Sequence, residues 1–215
     1  VADLGAAAAI HTAIPDFELH ASTQCAGHNA AAAAELNKLG FTRMVLARDT
    51  SKEDMRRFLA ESDLEAEVFV HGALCVSHSG QCLFSSLVGG RSGNRGECAQ
   101  PCRWKYHLVE EKRPGEYFEI TEDNGTFILN SRDMRMIEHL QELADAGVSS
   151  FKIEGRMKSS YYTAVVTNAY RHAIDDWFKT PDKWQADKYM NELITLQSRG
   201  YTVGFLDGNA GPEAQ

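Results

Sequence analysis

Four of the five cysteines in this 215-residue chain fall within 28 consecutive residues. Six residues separate Cys75 from Cys82, fifteen separate Cys82 from Cys98, and three separate Cys98 from Cys102. In a chain without a secretory signal, such a group usually holds a metal or cluster or forms a redox pair, because the cytosol reduces structural disulfides. None of the spacings is the Cys-x-x-Cys pair of common zinc ribbons, so an iron-sulfur cluster and zinc both stay open. Buried structural thiols are the other alternative, and they are the prediction for Cys25.

Polar side chains recur where the predicted strands end. Six of them are candidates for catalysis, namely His20, Gln24, His71, Lys152, Glu154 and Arg156. In a (β/α) barrel the carboxyl ends of the strands build the active site, so these residues are predicted to share one polar mouth. On the last strand, the alternation of side chains places Lys152 and Glu154 on the same face. Hydrogen-bonded core histidines at positions 20 and 71, and an internal ion-pair network at 152–156, are the structural alternatives.

The stretch between the cysteines is rich in glycine and arginine. Its glycines, residues 89–96, could cradle a phosphate or carboxylate with backbone N–H groups, or form a plain turn. The residues predicted to bind RNA or another anion are Arg48, Arg91, Arg95 and Arg103. The formal charge of the chain is -8, which argues against a general nucleic-acid coat. An acidic protein can still hold RNA through one basic patch.

Helical and strand patterns alternate along the chain. Helices are predicted at 6–14, 29–39, 51–61, 133–146, 160–178 and 184–198, and strands at 17–21, 43–47, 67–71 and 150–154. Short patches at 106–109, 117–120 and 126–129, separated by Pro-Gly and Asn-Gly, predict antiparallel hairpins. The alternation predicts an α/β fold with a partial (β/α) TIM-like barrel, a cysteine-rich loop and a small β-hairpin insertion. The four clear βα units are half of a closed barrel, so we expect further units upstream.

Four regions follow from this pattern. They are βα units of a partial barrel at 1–71, the cysteine-rich loop and hairpin insertion at 72–131, a closing βα unit with C-terminal helices at 132–205, and a tail at 206–215. With 43% hydrophobic and 24% charged residues, the composition is that of a globular protein. The apolar runs are shorter than the roughly 20 residues of a membrane helix, so we predict a cytoplasmic protein without a membrane partner. The exposed edges of an incomplete barrel make a homodimer a further hypothesis.

Four sequence blocks resemble the collagenase-like peptidase family U32, in the same order. They are residues 20–24, 70–86, 89–103 and 152–158, and the resemblance extends over roughly residues 1 to 205. It implies a TIM-like barrel and an activity related to the hydroxylation of RNA or ubiquinone, with an iron-sulfur cluster held by cysteines of this block. In the tRNA branch of the family it implies 5-hydroxyuridine formation at the wobble position, with prephenate as the cosubstrate. The early description of the family as collagen-degrading implies a peptidase instead.

The resemblance also implies a set of cluster ligands. Cys75, Cys82 and Cys98 correspond to three of them, and a fourth cysteine is expected just after an Asn-Ser-Lys-Asp-Leu-like stretch. Here Asn-Ser-Arg-Asp-Met at 130–134 is followed by Arg135. Either Cys102 supplies the fourth thiolate, or the cluster is altered or absent.

Three hypotheses for function therefore remain. The first is an RNA-modifying enzyme of the kind that hydroxylates the wobble uridine of tRNA. In this enzyme Arg48, Arg95 or Arg156 holds an anionic cosubstrate. The second is a peptidase acting on collagen or another peptide, with a metal-bound water and Glu154 as base, or a cysteine activated by His71 or His78. The sequence has neither His-Glu-x-x-His nor Gly-x-Ser-x-Gly, the common motifs for such chemistry. The third is a fragment that binds without catalysing.

Overall fold

The computed structural model describes residues 1–75, 77–104, 107–109, 111–115, 118–119, 132–198 and 200–208. The helices are α1 (Leu4–Ala13), α2 (Ala30–Lys38), α3 (Lys52–Glu61), α4 (Phe84–Gly89), α5 (Leu140–Asp145), α6 (Ser160–Lys179) and α7 (Asp187–Ile194). The strands are β1 (Leu19–Ala21), β2 (Phe41–Val45), β3 (Glu65–Ala73), β4 (His107–Leu108), β5 (Phe118–Glu119), β6 (Asp133–Arg135), β7 (Ser150–Glu154) and β8 (Tyr201–Thr202). Single 3-10 turns lie at Thr23–Cys25, His78–Gly80, Gly93–Arg95, Pro101–Arg103, Ile137–His139 and Pro181–Lys183.

Capping side chains set the starts of the four longest helices. Asp3, Asn29, Ser51 and Ser159 each accept the backbone N–H of the third residue that follows, at 2.7, 2.9, 3.2 and 3.1 Å. Each contact satisfies one of the N–H groups that a helix leaves without an internal partner. The predicted helices at 6–14, 29–39, 51–61 and 160–178 are confirmed, with boundaries shifted by up to two residues.

Six strands form one mixed sheet around the long strand β3. β1 pairs with β2, β2 with β3, and β3 with β7, all in parallel. The last three residues of β3 also pair with β6 in antiparallel fashion, and β6 pairs in parallel with β8. The α/β prediction is confirmed. Within the described ranges the strands do not close into a ring, so the barrel prediction is not confirmed.

The predicted helix at 133–146 is wrong in its first half. Residues 133–135 form strand β6, and the helix is confined to α5 after a 3-10 turn. The N–H of Asp133 donates to Gly200 O at 3.1 Å, and Met134 lies opposite Gly72 of β3. These pairings join residues far apart in sequence, and they override the local helical pattern. The predicted helix at 184–198 shortens to α7, and strand β8 had no counterpart among the predicted elements.

The insertion contains one of the predicted hairpins. β4 and β5 pair in antiparallel register, with His107 opposite Glu119, so the described parts of the patches predicted at 106–109 and 117–120 form a hairpin. The patch at 126–129 lies outside the described residues. Between β3 and this hairpin, the described chain forms short turns and the six-residue helix α4, in agreement with the predicted lack of a long helix.

The core lies between the sheet and the helices α2, α3, α6 and α7. Helix α6 buries Tyr162, Val166, Ala169, Tyr170 and Ala173, which recur at the spacing of one helical face. Among the described residues the core members fall in two ranges, Ala7–Leu74 and Met134–Leu206. None of the helices in the described ranges is long and apolar enough to cross a membrane.

Candidate functional site

The parallel strands β1, β2, β3 and β7 end at one edge of the sheet, and a cavity of about 330 Å³ opens there. The chain leaving β1 contributes Gln24, and the chain leaving β2 contributes Arg48. Strand β3 runs into Cys75, and β7 ends at Glu154. Ten of the fourteen predicted site residues line this cavity, namely Gln24, Arg48, Cys75, Cys82, Cys98, Cys102, Arg103, Lys152, Glu154 and Arg156.

The four thiols of the cysteine block are unbonded to one another and line this one cavity. Cys82 Sγ accepts the N–H of Phe84 at 3.3 Å, and Cys98 Sγ accepts the N–H of Gln100 at the same distance. Burial raises the pKa of the Cys102 thiol, and the neighbouring cysteines raise it further, against the opposing charge of Arg103. The thiols therefore repel one another as thiolates, and a cationic centre among them would relieve that repulsion.

The donor set is one that an iron-sulfur cluster can use. Four soft sulfur donors with N–H···S hydrogen bonds match the ligation of such clusters, and four thiolates also suit a tetrahedral zinc ion. Within the described residues, no three His, Cys, Asp or Glu side chains converge closely enough to hold one metal ion. The residues present therefore fit a cluster in chemistry, and zinc stays the alternative.

The wall opposite the cysteines carries positive charge. The guanidinium of Arg48 lies 4.0 Å from the centre of the Phe69 ring and 3.8 Å from the Glu154 carboxylate. Burial lowers the pKa of Arg48, because the charged form loses hydration there. Glu154 also accepts the backbone N–H of Arg156 at 3.0 Å, and Lys152 is paired with Glu67 at 2.9 Å, behind the cavity edge. The arginines outnumber the single lining carboxylate, so the cavity can receive an anion.

A buried ion network lies beneath the cysteines. Arg103 Nη1 is 2.6 Å from Asp133 Oδ1, and its Nη2 donates to the carbonyl of Leu74 at 3.2 Å. Lys158 Nζ reaches the second carboxylate oxygen of Asp133 at 3.1 Å. Burial alone would raise the pKa of Asp133, but Arg103 and Lys158 hold it below its usual value. Because Leu74 precedes Cys75 and Arg103 follows Cys102, this network fixes the chain beside two of the thiols.

Four predicted site residues do not line the cavity. His20 is half-buried, and its imidazole lies 4.0 Å from the Glu18 carboxylate. His71 is 1% exposed and lies within the core, where its Nδ1 is 3.3 Å from the hydroxyl of Tyr170. Arg91 and Arg95 are exposed on the loop outside. Their catalytic and RNA-binding roles stay predictions.

Several residues that support the site are not predicted from the sequence. Asp133 lies in the Asn-Ser-Arg-Asp-Met stretch and Lys158 ends the 152–158 block, so both were within the resembling blocks or beside them. Asn94 lines the cavity and accepts a hydrogen bond from the side chain of Gln24 at 3.3 Å. At the outer rim, the rings of His28 and His78 stack at 4.6 Å, and His78 bonds to Asp49 at 3.0 Å. These residues come together only in the folded chain, so a single sequence does not link them.

The sequence was compared with known proteins. The profile described as Peptidase family U32 matches residues 1–215. This chain belongs to that family. The resemblance carried by the four blocks is therefore confirmed, and it extends over the cysteine block and all four strand ends of the cavity.

Three relatives of this U32 member have names that describe RNA chemistry. The tRNA hydroxylation protein P of Escherichia coli is 35% identical over 96% of this chain and 54% of its own length. The tRNA hydroxylation protein P1 of Bacillus subtilis is 36% identical over 94% of this chain and 48% of its own length. The 23S rRNA 5-hydroxycytidine synthase of Escherichia coli is 42% identical over 75% of this chain and 24% of its own length.

The U32 chain spans about half the length of the tRNA hydroxylation proteins it matches. No solved structure is significantly similar to it.

Proposed function

We propose that this protein takes part in RNA modification as a hydroxylation enzyme, acting on the wobble uridine of tRNA. The observation that carries the proposal is the single cavity that joins four cysteines to Arg48, Glu154 and Arg156 at the ends of parallel strands. Relatives that share these blocks are named for tRNA and rRNA hydroxylation. A base presented by a single-stranded loop of RNA can enter a cavity of this kind when it is unstacked from its neighbours.

An iron-sulfur cluster is part of the proposal, with Cys75, Cys82, Cys98 and Cys102 as its ligands. When bound, it would supply one-electron redox chemistry beside the base. Cys102 is the fourth ligand in this proposal because it lines the cavity, whereas Arg135 does not. The guanidinium of Arg135 is paired with Glu138 at 2.6 Å and lies 4.9 Å from the Tyr201 ring.

The cationic wall has the second role. Arg48 and Arg156 bind the carboxylates of a dianionic cosubstrate such as prephenate, by bidentate hydrogen bonds. Glu154 positions both arginines. One of its carboxylate oxygens faces the guanidinium of Arg48, and the other accepts the backbone N–H of Arg156. Lys152 is fixed by Glu67 and lies 5.4 Å from the Phe69 ring, so its charge stays near the mouth.

Three broader features complete the proposal. The strand order β1-β2-β3, continued by β7, corresponds to part of a TIM-like barrel that further βα units would close. The edge strand β1 would pair either with such units or with a second copy in a homodimer. The protein would act in the cytoplasm, where its thiols stay reduced and tRNA is available.

Anaerobic purification tests the cluster. The wild-type protein is expected to be brown, to contain iron rather than zinc, and to absorb near about 400 nm. Cys75→Ser should lose the absorbance, and Cys25→Ser should keep it, because Cys25 lies outside the cavity and its thiol contacts the carbonyl of Val1 at 3.4 Å. A colourless anaerobic preparation without iron would sink the cluster proposal.

Activity is tested in a bacterial strain that lacks its own tRNA hydroxylation proteins. Expression of the wild-type gene should restore hydroxylated uridine in digested tRNA, as measured by mass spectrometry, and Cys75→Ser and Arg48→Ala should not. Cys25→Ser is the matched control and should restore the nucleoside. Failure of the wild-type gene in a strain where the protein is loaded with iron would contradict tRNA hydroxylation.

The peptidase hypothesis predicts a different result. Gelatin cleavage would have to disappear in Glu154→Gln or in the cysteine variants, and full cleavage by those variants would indicate a contaminating protease. Neither His71 nor His78 lines the cavity that the four cysteines share, and His71 is enclosed in the core, so neither imidazole is in place to activate a cysteine there. The geometry therefore favours RNA modification.

A further inference from the structure

An exposed apolar surface lies on the outer side of the cavity wall. Phe84 and Ser85 of α4 face the cavity, whereas the apolar side chains before and after them point outwards. Four large side chains form this surface, with exposed fractions of 65%, 79%, 47% and 49% for Leu83, Leu87, Val88 and Trp104. We call these four residues the Trp104 surface.

The Trp104 surface is continuous. Leu83 and Leu87 are one helical turn apart, since the N–H of Leu87 donates to the Leu83 carbonyl at 2.9 Å. The indole of Trp104 reaches the end of the same helix, 4.0 Å from the position that a Cβ on Gly89 would occupy. Exposed apolar side chains that adjoin one another in this way mark a binding surface more often than scattered ones do.

Positive charge flanks the Trp104 surface. Arg91 follows α4 by two residues, and Arg95 ends the 3-10 turn that also carries the cavity residue Asn94. Both arginines are exposed, and Glu97 is the acidic residue of the same loop. Arg103 is occupied by Asp133, so it does not contribute. In a chain of formal charge -8, an exposed indole at the end of a helix that two exposed arginines follow is a composition that single-stranded nucleic acid contacts through bases and phosphates.

We propose that the Trp104 surface binds single-stranded RNA by stacking, and that it holds the nucleotides next to the one that enters the cavity. This inference rests on the proposed RNA-modifying function. A base that leaves its stack exposes the faces of its neighbours, and an indole at the cavity rim replaces the lost stacking. Arg91 and Arg95 bind the phosphates of the same strand and set its direction towards the cavity.

Fluorescence anisotropy tests the surface. The probes are a fluorescein-labelled 10-nucleotide single-stranded RNA and the same sequence as a blunt duplex, added to protein purified without oxygen. Trp104→Ala is expected to weaken binding of the single strand by about 5- to 100-fold, the effect of losing one stacked base. Trp104→Phe should retain most of the affinity, and the duplex should bind more weakly than the single strand.

Matched variants separate stacking from folding and from charge. Phe178 is 72% exposed and lies far along the chain at the end of α6, so Phe178→Ala should leave the affinity unchanged. Leu87→Glu should weaken RNA binding, and the fold should tolerate the new charge because the side chain at position 87 is exposed. The double variant Arg91→Ala with Arg95→Ala should reduce the slope of log affinity against log salt by about 1.4, as expected for two lost phosphate contacts.

Each outcome decides the matter. If the wild-type protein binds the single strand and Trp104→Ala binds it equally well, the surface proposal is wrong while the proposed function stands. If Trp104→Ala instead converts a dimer to a monomer in sedimentation and leaves RNA affinity intact, the surface is a contact between copies of the chain. If the wild-type protein binds neither RNA, the surface proposal is wrong, and the assay of hydroxylated uridine in tRNA decides the proposed function separately.

Discussion

The imidazole of His71 shows how the setting of one residue decides its chemistry. Its Nδ1 is 3.3 Å from the Tyr170 hydroxyl, and its Nε2 bonds to no residue in the described ranges. The rings of Tyr162, Tyr170 and Tyr201 lie 5.9, 5.4 and 5.6 Å from it. Burial lowers the pKa of His71 to about 4, with Asp133 raising it and two nearby cations lowering it. The residue is therefore neutral in the folded protein across the physiological range.

The position of His71 could not be read from the sequence. Phe69 lines the cavity, and in a regular strand the residue two positions later would share its face. The pairing of β3 with β7 shifts register between Phe69 and His71, and this bulge turns His71 into the core. A bulge depends on the partner strand, so the position of His71 at a predicted strand end could not decide between the cavity and the core alternative. Arg48, which follows β2, and Glu154, which ends β7, do reach the cavity as predicted.

Acid should destabilise the fold through His71. In the unfolded chain an imidazole has a pKa near about 6.5, so as pH falls below that value the unfolded state binds a proton that the native state rejects until about pH 4. The stabilisation is complete above about pH 6.5, and about 2 kcal/mol of it is lost at pH 5. Urea unfolding at pH 8 and pH 5 should show this loss in the wild type and not in His71→Phe.

The controls for this prediction are available in the same chain. The Tyr170 hydroxyl keeps its bonds to Val70 O at 2.8 Å and to Met136 N at 3.2 Å when His71 is replaced, so the variant should still fold. His172 is exposed on α6, and His172→Phe should keep the wild-type pH dependence. Equal pH dependence in His71→Phe and the wild type would show that His71 is not the responsible group.

Strand β6 is the element that the sequence predicted least well and the one on which the site depends most. The helical pattern at 133–146 is real only from residue 140 onwards. Residues 133–135 are extended because they pair with β3 and β8. The side chains of Lys158 and Arg103, which are 25 and 30 residues away in the sequence, also bind the Asp133 carboxylate. Helices with local caps were predicted well because their signals are adjacent in sequence. β6 has no local signal of this kind.

Replacing Asp133 by asparagine should be costly. The change leaves the guanidinium of Arg103 and the ammonium of Lys158 without their carboxylate in a buried setting, which typically costs about 3 to 5 kcal/mol of unfolding free energy. The surface pair Arg171–Asp175 is the matched control, and Asp175→Asn should cost less than about 1 kcal/mol. Urea unfolding at pH 7 measures both values. Similar small losses for the two variants would mean that the buried network does not anchor β6.

At the scale of the whole molecule, the chain divides into a packed body and a segment that carries the cysteine block. The described core members stop at Leu74 and resume at Met134, so the cysteine block packs on the body without contributing to its centre. The sequence predicts a boundary between residues 71 and 72, because the βα rhythm stops there. Closure of the sheet could not be predicted in the same way, since it depends on contacts between distant strands. The open, mixed sheet follows from β6 and β8, which the βα pattern did not reveal.

This division predicts that loss of the proposed cluster leaves the body folded. The triple variant with Cys75→Ser, Cys82→Ser and Cys98→Ser should lose iron, while its thermal midpoint stays within about 5 °C of wild-type protein stripped of iron. Ile137→Ala is the contrast, because Ile137 is fully buried in the core, and its loss should cost about 2 to 5 kcal/mol. Limited proteolysis of the triple variant should cleave within residues 75–104 and spare the body, since local opening concentrates where few apolar contacts hold the chain. The opposite outcome is a triple variant that loses all of its helical circular dichroism in one cooperative transition at a temperature below the wild-type transition. That result would show that the cysteine block is needed to fold the entire chain.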